Sequence, residues 1–153
     1  MTGAVPVRGA SVRTSKPGGL DEDEWAVIRT HSAIGASILA GSESPVVRLG
    51  ETIAMTHHER WDGSGYPVGR AGEQIPLAGR ICTICDVFDA LLSRRPYKEP
   101  WTLEDALAEI AGRRARHFDP RLVNLFLPMA RGLHAEMGYG ILDAAPTEAP
   151  ATA

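Results

Sequence analysis

Apolar and polar residues alternate with a helical period through the first part of the chain. Asp21 and Glu24 resemble a capping box. The apolar residues that follow recur at helical spacing: Trp25, Ile28, Ile34, Ile38 and Leu39. A second helix is predicted to begin at Ser44 and Pro45 and to run toward His57, because a capping serine followed by proline is typical of a first turn.

The stretch 59–76 has no such period. Its glycines and prolines are Gly63, Gly65, Pro67, Gly69, Gly72 and Pro76. Residues of these two types interrupt helices and strands, so no regular element is expected to run through the segment. A loop of this length inside a domain is typically functional.

A helical period returns at residues 77–94. Thr102 with Asp105 predicts the cap of a fourth helix, and Asp119 with Pro120 opens a fifth, which Pro128 is expected to kink or end. No segment alternates like a strand. The prediction is an all-α helical bundle in one domain at 16–140, flanked by poorly ordered segments at 1–15 and 141–153.

Composition narrows the function classes. The 153 residues are 44% hydrophobic and 23% charged, with a net charge of −3, as in ordinary soluble domains. With this ordinary charge, no broad nucleic-acid surface is expected. No membrane span is expected either, since apolar runs are only a few residues long. Without an apolar signal core, a cytoplasmic location is expected.

The helix at 77–94 is predicted to be buried all round. One face is apolar: Leu77, Ile81, Ile84, Cys85, Phe88, Leu91 and Leu92. The other combines small residues with one carboxylate: Gly79, Cys82, Thr83, Asp86 and Ala90. A buried carboxylate requires a cation, so Asp86 should meet either a metal ion or an arginine.

The positions of three histidines favour a metal ion over an arginine as the partner of Asp86. His31 lies on the apolar side of the first helix, and His57 with His58 ends the second beside the glycine-rich loop. Imidazoles together with Asp86 suit zinc, iron or manganese. The alternative is that His31 is a hydrogen-bonded core histidine.

A set of basic residues and a pair of cysteines each allow two interpretations. Arg94, Arg95 and Lys98 could clamp phosphate, or they could be solvated cations at a helix end. Cys82 and Cys85 have redox or zinc-pair spacing, but without a second pair we interpret them as small packed hydrophobes.

The string HHERWDGSGYP at 57–67 closely resembles the HHExxDGxGYP signature of the HD-GYP family, a branch of the HD-superfamily phosphohydrolases. The resemblance extends over about 16–126, through the segments at 29–31, 86–91, 95–98 and 117–120. It implies an all-helical domain that holds two or three metal ions, usually iron or manganese. It also implies hydrolysis of cyclic di-GMP, or a related 3′,3′ cyclic dinucleotide, to a linear dinucleotide or GMP.

Carried over residue by residue, the resemblance implies metal ligands at His31, His57, His58 and Asp86. It implies substrate-phosphate contacts at Arg95 and Lys98. The loop residues Gly65, Tyr66 and Pro67 match a segment linked to substrate access and partner contact. His117 has no implied role beyond a structural one, although the family usually has a glycine shortly before this position, where the chain reads RRAR at 113–116.

The chain departs from the family upstream. Relatives carry a His-Asp pair followed by Gly-Lys before the segment that matches Lys16, whereas residues 1–15 contain no histidine, aspartate or glutamate. We therefore expect residues 1–15 to be disordered or non-homologous to the family. The domain is then N-terminally truncated, binds at most one metal and hydrolyses little or nothing alone.

Three functions follow as hypotheses. The chain is a signalling phosphodiesterase whose missing ligands come from another chain or from a longer gene product, a non-catalytic binding module, or a gene fragment. The implied partners are a cyclic dinucleotide and either a diguanylate cyclase or a response regulator; a homo-oligomer is a further expectation, and no membrane or polymeric nucleic acid is expected.

Overall fold

The computed structural model describes residues 21–94 and 99–137, which form five α-helices. These are α1 (Glu22–Leu39), α2 (Pro45–Thr56), α3 (Leu77–Leu92), α4 (Leu103–Gly112) and α5 (Pro120–Met137). The described residues contain no named strand, only a 3-10 turn at Gly72–Gln74 and two isolated bridges. The all-α prediction is confirmed. Arg95, Lys98 and the terminal segments at 1–15 and 141–153 lie outside the described residues.

The starts of α1 and α4 agree with the capping signals, whereas Ser44 precedes α2 without a capping hydrogen bond from its side chain. The Asp21 carboxylate accepts a bond from Glu24 N at 2.8 Å, and the Glu24 carboxylate accepts one from Asp21 N at 3.0 Å. Thr102 Oγ1 accepts from Asp105 N at 3.2 Å at the start of α4. These bonds satisfy backbone donors that have no partner within the helix.

One predicted helix end is wrong, and of the two outcomes expected at Pro128 the end of the helix does not occur. α3 ends at Leu92, before Arg94, and α5 continues through Pro128 to Met137. Proline removes one backbone donor from a helix, but packing on both sides can hold the helix together. Val123 and Ala130 are buried on either side of Pro128, at 1% and 8% exposure.

The main core joins α3, α4 and α5. Ile84, Ile110, Phe118 and Val123 are each no more than 2% exposed and pack as one cluster. The helices are also linked by a largely buried ion pair, in which Arg80 Nη1 lies 2.6 Å from Asp119 Oδ2.

The packed face of α1 differs from the predicted one. Trp25, Ile34 and Ile38 are exposed, whereas Ser32 and Ala36 are buried. α1 therefore lies against α2 through small side chains, which allow the two backbones to approach closely.

The expected all-round burial of α3 is also wrong. Gly79 lies so close to α2 that a Cβ there would overlap the Thr56 side chain. Leu77, Ile81, Cys85 and Asp86 are nevertheless exposed. Within the described residues, α2, α4 and α5 contact α3 but leave these side chains uncovered. The prediction that Cys85 is a packed hydrophobe therefore fails.

Among the described residues, no helix has the length and hydropathy needed to cross a bilayer.

Candidate metal centre and cavity

Three histidines from separate places in the sequence meet at one point. His31 Nε2 lies 3.2 Å from His57 Nε2 and 3.1 Å from His58 Nε2. His31 comes from the middle of α1, and the other two end α2. Their possible ligand atoms all lie within 4.8 Å of one another, so these three side chains could hold a metal ion.

Backbone carbonyls orient two of these rings. His31 Nδ1 faces Ile28 O, and His57 Nδ1 lies 3.0 Å from both Ile53 O and Ala54 O. A nitrogen that faces a carbonyl carries the proton, which leaves Nε2 with its lone pair. The two Nε2 lone pairs therefore face each other at 3.2 Å, an arrangement that a cation stabilises.

The spacing also suits a single ion. Two nitrogens each about 2.1 Å from one metal are about 3.0 Å apart at a right angle and about 3.4 Å apart at a tetrahedral angle. The observed 3.1 and 3.2 Å fall between these values. The donor set and its spacing thus fit a divalent metal.

His58 favours the neutral form that a metal requires. Burial is the main cause that lowers its pKa to about 4, followed by the nearby His57 and His31, while Asp86 acts in the opposite direction. A neutral imidazole can donate its lone pair to a metal at neutral pH.

Asp86 lines the cavity beside this cluster without joining it. It shares the cavity wall with His57 and His58, but it is not among the side chains whose ligand atoms converge within 4.8 Å. It is also exposed. The argument that a buried carboxylate there needs a cation is therefore wrong, because α3 leaves this position at the rim.

One hydrogen bond from α3 fixes the end of α2. Thr83 Oγ1 lies 2.9 Å from His57 O and also 2.9 Å from Gly79 O. Thr83 is buried, at 4% exposure. This hydroxyl therefore anchors the backbone from which His57 and His58 project.

A buried carboxylate organises the loop after His58. Glu59 is 1% exposed, and its oxygens accept bonds from Val68 N, Gly69 N and Arg70 N at 2.9 to 3.2 Å. Three successive backbone donors aimed at one carboxylate hold the loop in a closed shape. Glu59 received no role from the sequence, although its position inside the HHE string was the available signal.

The loop places Tyr66 over the cluster. The Tyr66 ring lies 4.7 Å from the His58 ring, centroid to centroid, with 30° between the planes. Gly65 makes this approach possible, because a Cβ there would lie 2.5 Å from Glu59 Cα and from His58 O. Burial raises the pKa of the Tyr66 hydroxyl, so the ring remains a neutral cover.

The cluster opens into a cavity of about 460 Å³. Its wall includes side chains that the sequence did not assign to a site: Trp25, Arg29, Arg60, Ser64, Thr83 and His117. His117 was interpreted as structural, and burial, then Arg60 and Arg113, lower its pKa to about 4. Among the described residues predicted to bind substrate, Tyr66 lines this wall.

Comparisons with known proteins agree with this architecture. A family profile for the HD domain matches residues 4–122. The cyclic di-GMP phosphodiesterase response regulator RpfG of Xanthomonas campestris is 54% identical over 112 residues, which are 73% of this chain and 30% of that protein. The 3′3′-cGAMP-specific phosphodiesterase 2 of Vibrio cholerae is 49% identical over 73% of this chain and 22% of its own length.

A solved structure shares the fold. The crystal structure of a cyclic GMP-AMP specific phosphodiesterase of V. cholerae, V-cGAP3, superposes with a TM-score of 0.60 and 29% identity over 78% of this chain and 27% of that one. The chain spans less than a third of these relatives. The matched profile, the relatives and the all-helical fold show that the chain belongs to the HD domain family, in its HD-GYP branch.

Proposed function

We propose that this chain contributes the metal-binding half of a cyclic-dinucleotide phosphodiesterase centre, with His31, His57 and His58 as metal ligands. Asp86, on the wall of the adjoining cavity, is assigned as a further ligand by resemblance alone. The observation that carries the proposal is the convergence of three imidazole nitrogens, with His31 Nε2 3.2 Å from His57 Nε2 and 3.1 Å from His58 Nε2. The names of the similar proteins supply the substrate class, cyclic di-GMP or 3′3′-cGAMP.

A bound divalent metal, iron or manganese by family resemblance, would act as a Lewis acid and would make water nucleophilic at neutral pH. The side chains of this chain have separate tasks. The carbonyls of Ile28 and Ile53 hold the proton on Nδ1 of His31 and His57, so that Nε2 stays available. Tyr66 covers the cluster and reduces the access of bulk water to it.

The loop at 59–76 and the basic residues Arg95 and Lys98 supply the other proposed contacts to the substrate. Gly65 and Pro67 keep Tyr66 at the cavity wall, and we assign Arg95 and Lys98 to the phosphate oxygens by resemblance alone. Positive charge beside a phosphodiester stabilises the negative charge that develops on its oxygens during hydrolysis.

A second candidate function is a binding module without turnover. It is favoured by a sequence observation, since residues 1–15 contain no histidine, aspartate or glutamate to complete a second metal position. In that case the chain binds one metal or none, and it recognises the dinucleotide or a diguanylate cyclase through the same cavity.

The test combines metal analysis with turnover. Purified protein is loaded anaerobically with iron or manganese, its metal content is measured by elemental analysis, and linear product from cyclic di-GMP is followed by chromatography. We expect His57→Ala to lose the metal and any hydrolysis, because one of three converging donors disappears. The matched control is His134→Ala, which removes a histidine from the last turn of α5.

The outcomes separate the two candidates. Metal that depends on His57, with product formation, supports the phosphodiesterase. At most one metal and no product, with dinucleotide binding that survives a chelator, supports the binding module. Wild-type protein with neither metal nor ligand would contradict both.

A further inference from the structure

Two arginines line the cavity without a carboxylate partner. Arg29 comes from α1 and Arg60 from the loop after α2. Five other arginines lie within 4.0 Å of a carboxylate: Arg80, Arg94, Arg113, Arg121 and Arg131. In the part of the chain that the structure describes, neither Arg29 nor Arg60 has such a pair, so both guanidinium groups are available to an anion.

Arg29 makes a cation–π contact with Tyr66. Its Cζ lies 5.6 Å from the centroid of the Tyr66 ring, and that ring lies against His58. A guanidinium that rests on an aromatic face keeps its N–H edges free for two parallel hydrogen bonds to a phosphate. Arg29 is therefore held beside the histidine cluster in a conformation suited to oxyanion binding.

The turn after His58 fixes Arg60. Its carbonyl accepts a bond from Gly63 N at 2.8 Å, and its backbone N packs against Gly65. The charge of Arg60 acts on groups of the cavity wall, since after burial it is the largest cause of the lowered pKa of His117. Arg60 therefore places a positive charge beside His117 at the cavity wall.

Trp25 adds an apolar surface to the same wall. It lies one helical turn before Arg29 on α1, is 44% exposed and lines the cavity. An exposed indole is suited to stacking on a nucleobase, because every base presents a flat π face. Guanidinium groups and an indole together match a ligand that carries both phosphates and bases.

We propose that Arg29 and Arg60 form a phosphate-binding subsite beside the histidine cluster, which binds a phosphodiester of a cyclic dinucleotide without help from the metal. The inference rests on the proposed function for its ligand class. It adds residues that contact the ligand even when the cluster holds no ion.

Calorimetric titration of the full chain with cyclic di-GMP in EDTA tests the subsite. The variants are Arg29→Ala, Arg60→Ala and Arg29→Lys, with Arg48→Ala as a matched control, because Arg48 is exposed and lies outside this cavity. We expect each alanine variant at the two cavity positions to raise Kd about tenfold or more, since each removes charge-assisted hydrogen bonds. Arg29→Lys should weaken binding less, and Arg48→Ala should leave Kd unchanged.

Two further measurements keep the result specific. Circular dichroism checks that each variant is as helical as the wild type, and elemental analysis of metal-loaded samples checks that the metal content is unchanged. Binding should also weaken with added salt, because screening acts on the exposed charges.

The outcomes distinguish this inference from the proposed function. Arginine-dependent binding without any hydrolysis supports the subsite, although the phosphodiesterase proposal then fails. Hydrolysis with Kd values within twofold of wild type overturns the subsite while the phosphodiesterase stands. Loss of affinity in only one of the two alanine variants, or no binding by the wild type in EDTA, also overturns it.

Discussion

We expect the irregular loop at 59–76 to be fixed more firmly than the regular α1–α2 helix pair. In the loop, Glu59 and Ile75 are each 1% exposed, and the carboxylate of Glu59 holds three backbone donors. In the helix pair, large apolar side chains face outward: Trp25, Val27, Ile34, Ile38, Val46 and Leu49. Regular hydrogen bonding within a helix thus says little about how firmly that helix is held to its neighbours.

The three histidines of the cluster come from both of these regions. His57 and His58 join α2 to the fixed loop, while His31 belongs to α1, whose buried contacts are the small residues Ser32 and Ala36. A metal bound to all three would therefore link the less firmly packed helix to the more firmly packed loop.

The largest change in the free energy of unfolding is expected from Gly65→Ala. A Cβ at this position would lie 2.5 Å from Glu59 Cα and His58 O, so backbone must move. We expect the free energy of unfolding to fall by about 3 kcal/mol in urea titrations. Ile38→Ala removes three side-chain carbons, but Ile38 is 76% exposed. This substitution should lower the free energy of unfolding by less than about 0.5 kcal/mol.

A second glycine controls for the substitution itself. Gly132 lies in α5, and a Cβ added there would meet no atom within 4 Å, so Gly132→Ala should stabilise the helix by about 0.5–1 kcal/mol. If Gly65→Ala costs no more than Ile38→Ala, the loop is not held more firmly than the helix pair.

The next effect is expected from Glu59→Gln. The amide keeps the size of the side chain but replaces one acceptor oxygen with a donor that faces backbone N–H groups. Unfolding should become easier by about 2 kcal/mol, because a buried donor loses its partner. The control Glu43→Gln changes an exposed carboxylate before α2 and should have little effect. Equal stabilities of the two variants would contradict the role assigned to Glu59.

The third and smallest of the main predictions is a gain in stability. Ala115 has a φ of 63°, a left-handed conformation that costs a residue with a Cβ about 1–2 kcal/mol. Ala115→Gly should therefore raise the free energy of unfolding by about 1 kcal/mol, after allowing for the flexibility of glycine in the unfolded chain. Ala111→Gly, in the helical conformation of α4, should instead lower it. A thermal melt in which both variants shift the same way would contradict this interpretation.

The sequence by itself determined the local features of this protein. Caps at Asp21 and Thr102, the glycine-rich loop and the all-α class depend on neighbours a few residues apart, so they follow from spacing and backbone preference. The HHERWDGSGYP string also identified the family, because many specific residues fall within one short segment.

Only the tertiary structure decided which surfaces are covered. A periodic pattern gives the apolar face of a helix but not the helix that packs against it, so it could not show that Asp86 is exposed and that α1 packs through Ser32 and Ala36. The same limit applies to the site. Arg29, Arg60 and Glu59 acquire their roles from contacts with residues on other turns and helices, and such contacts exist only once the chain has folded.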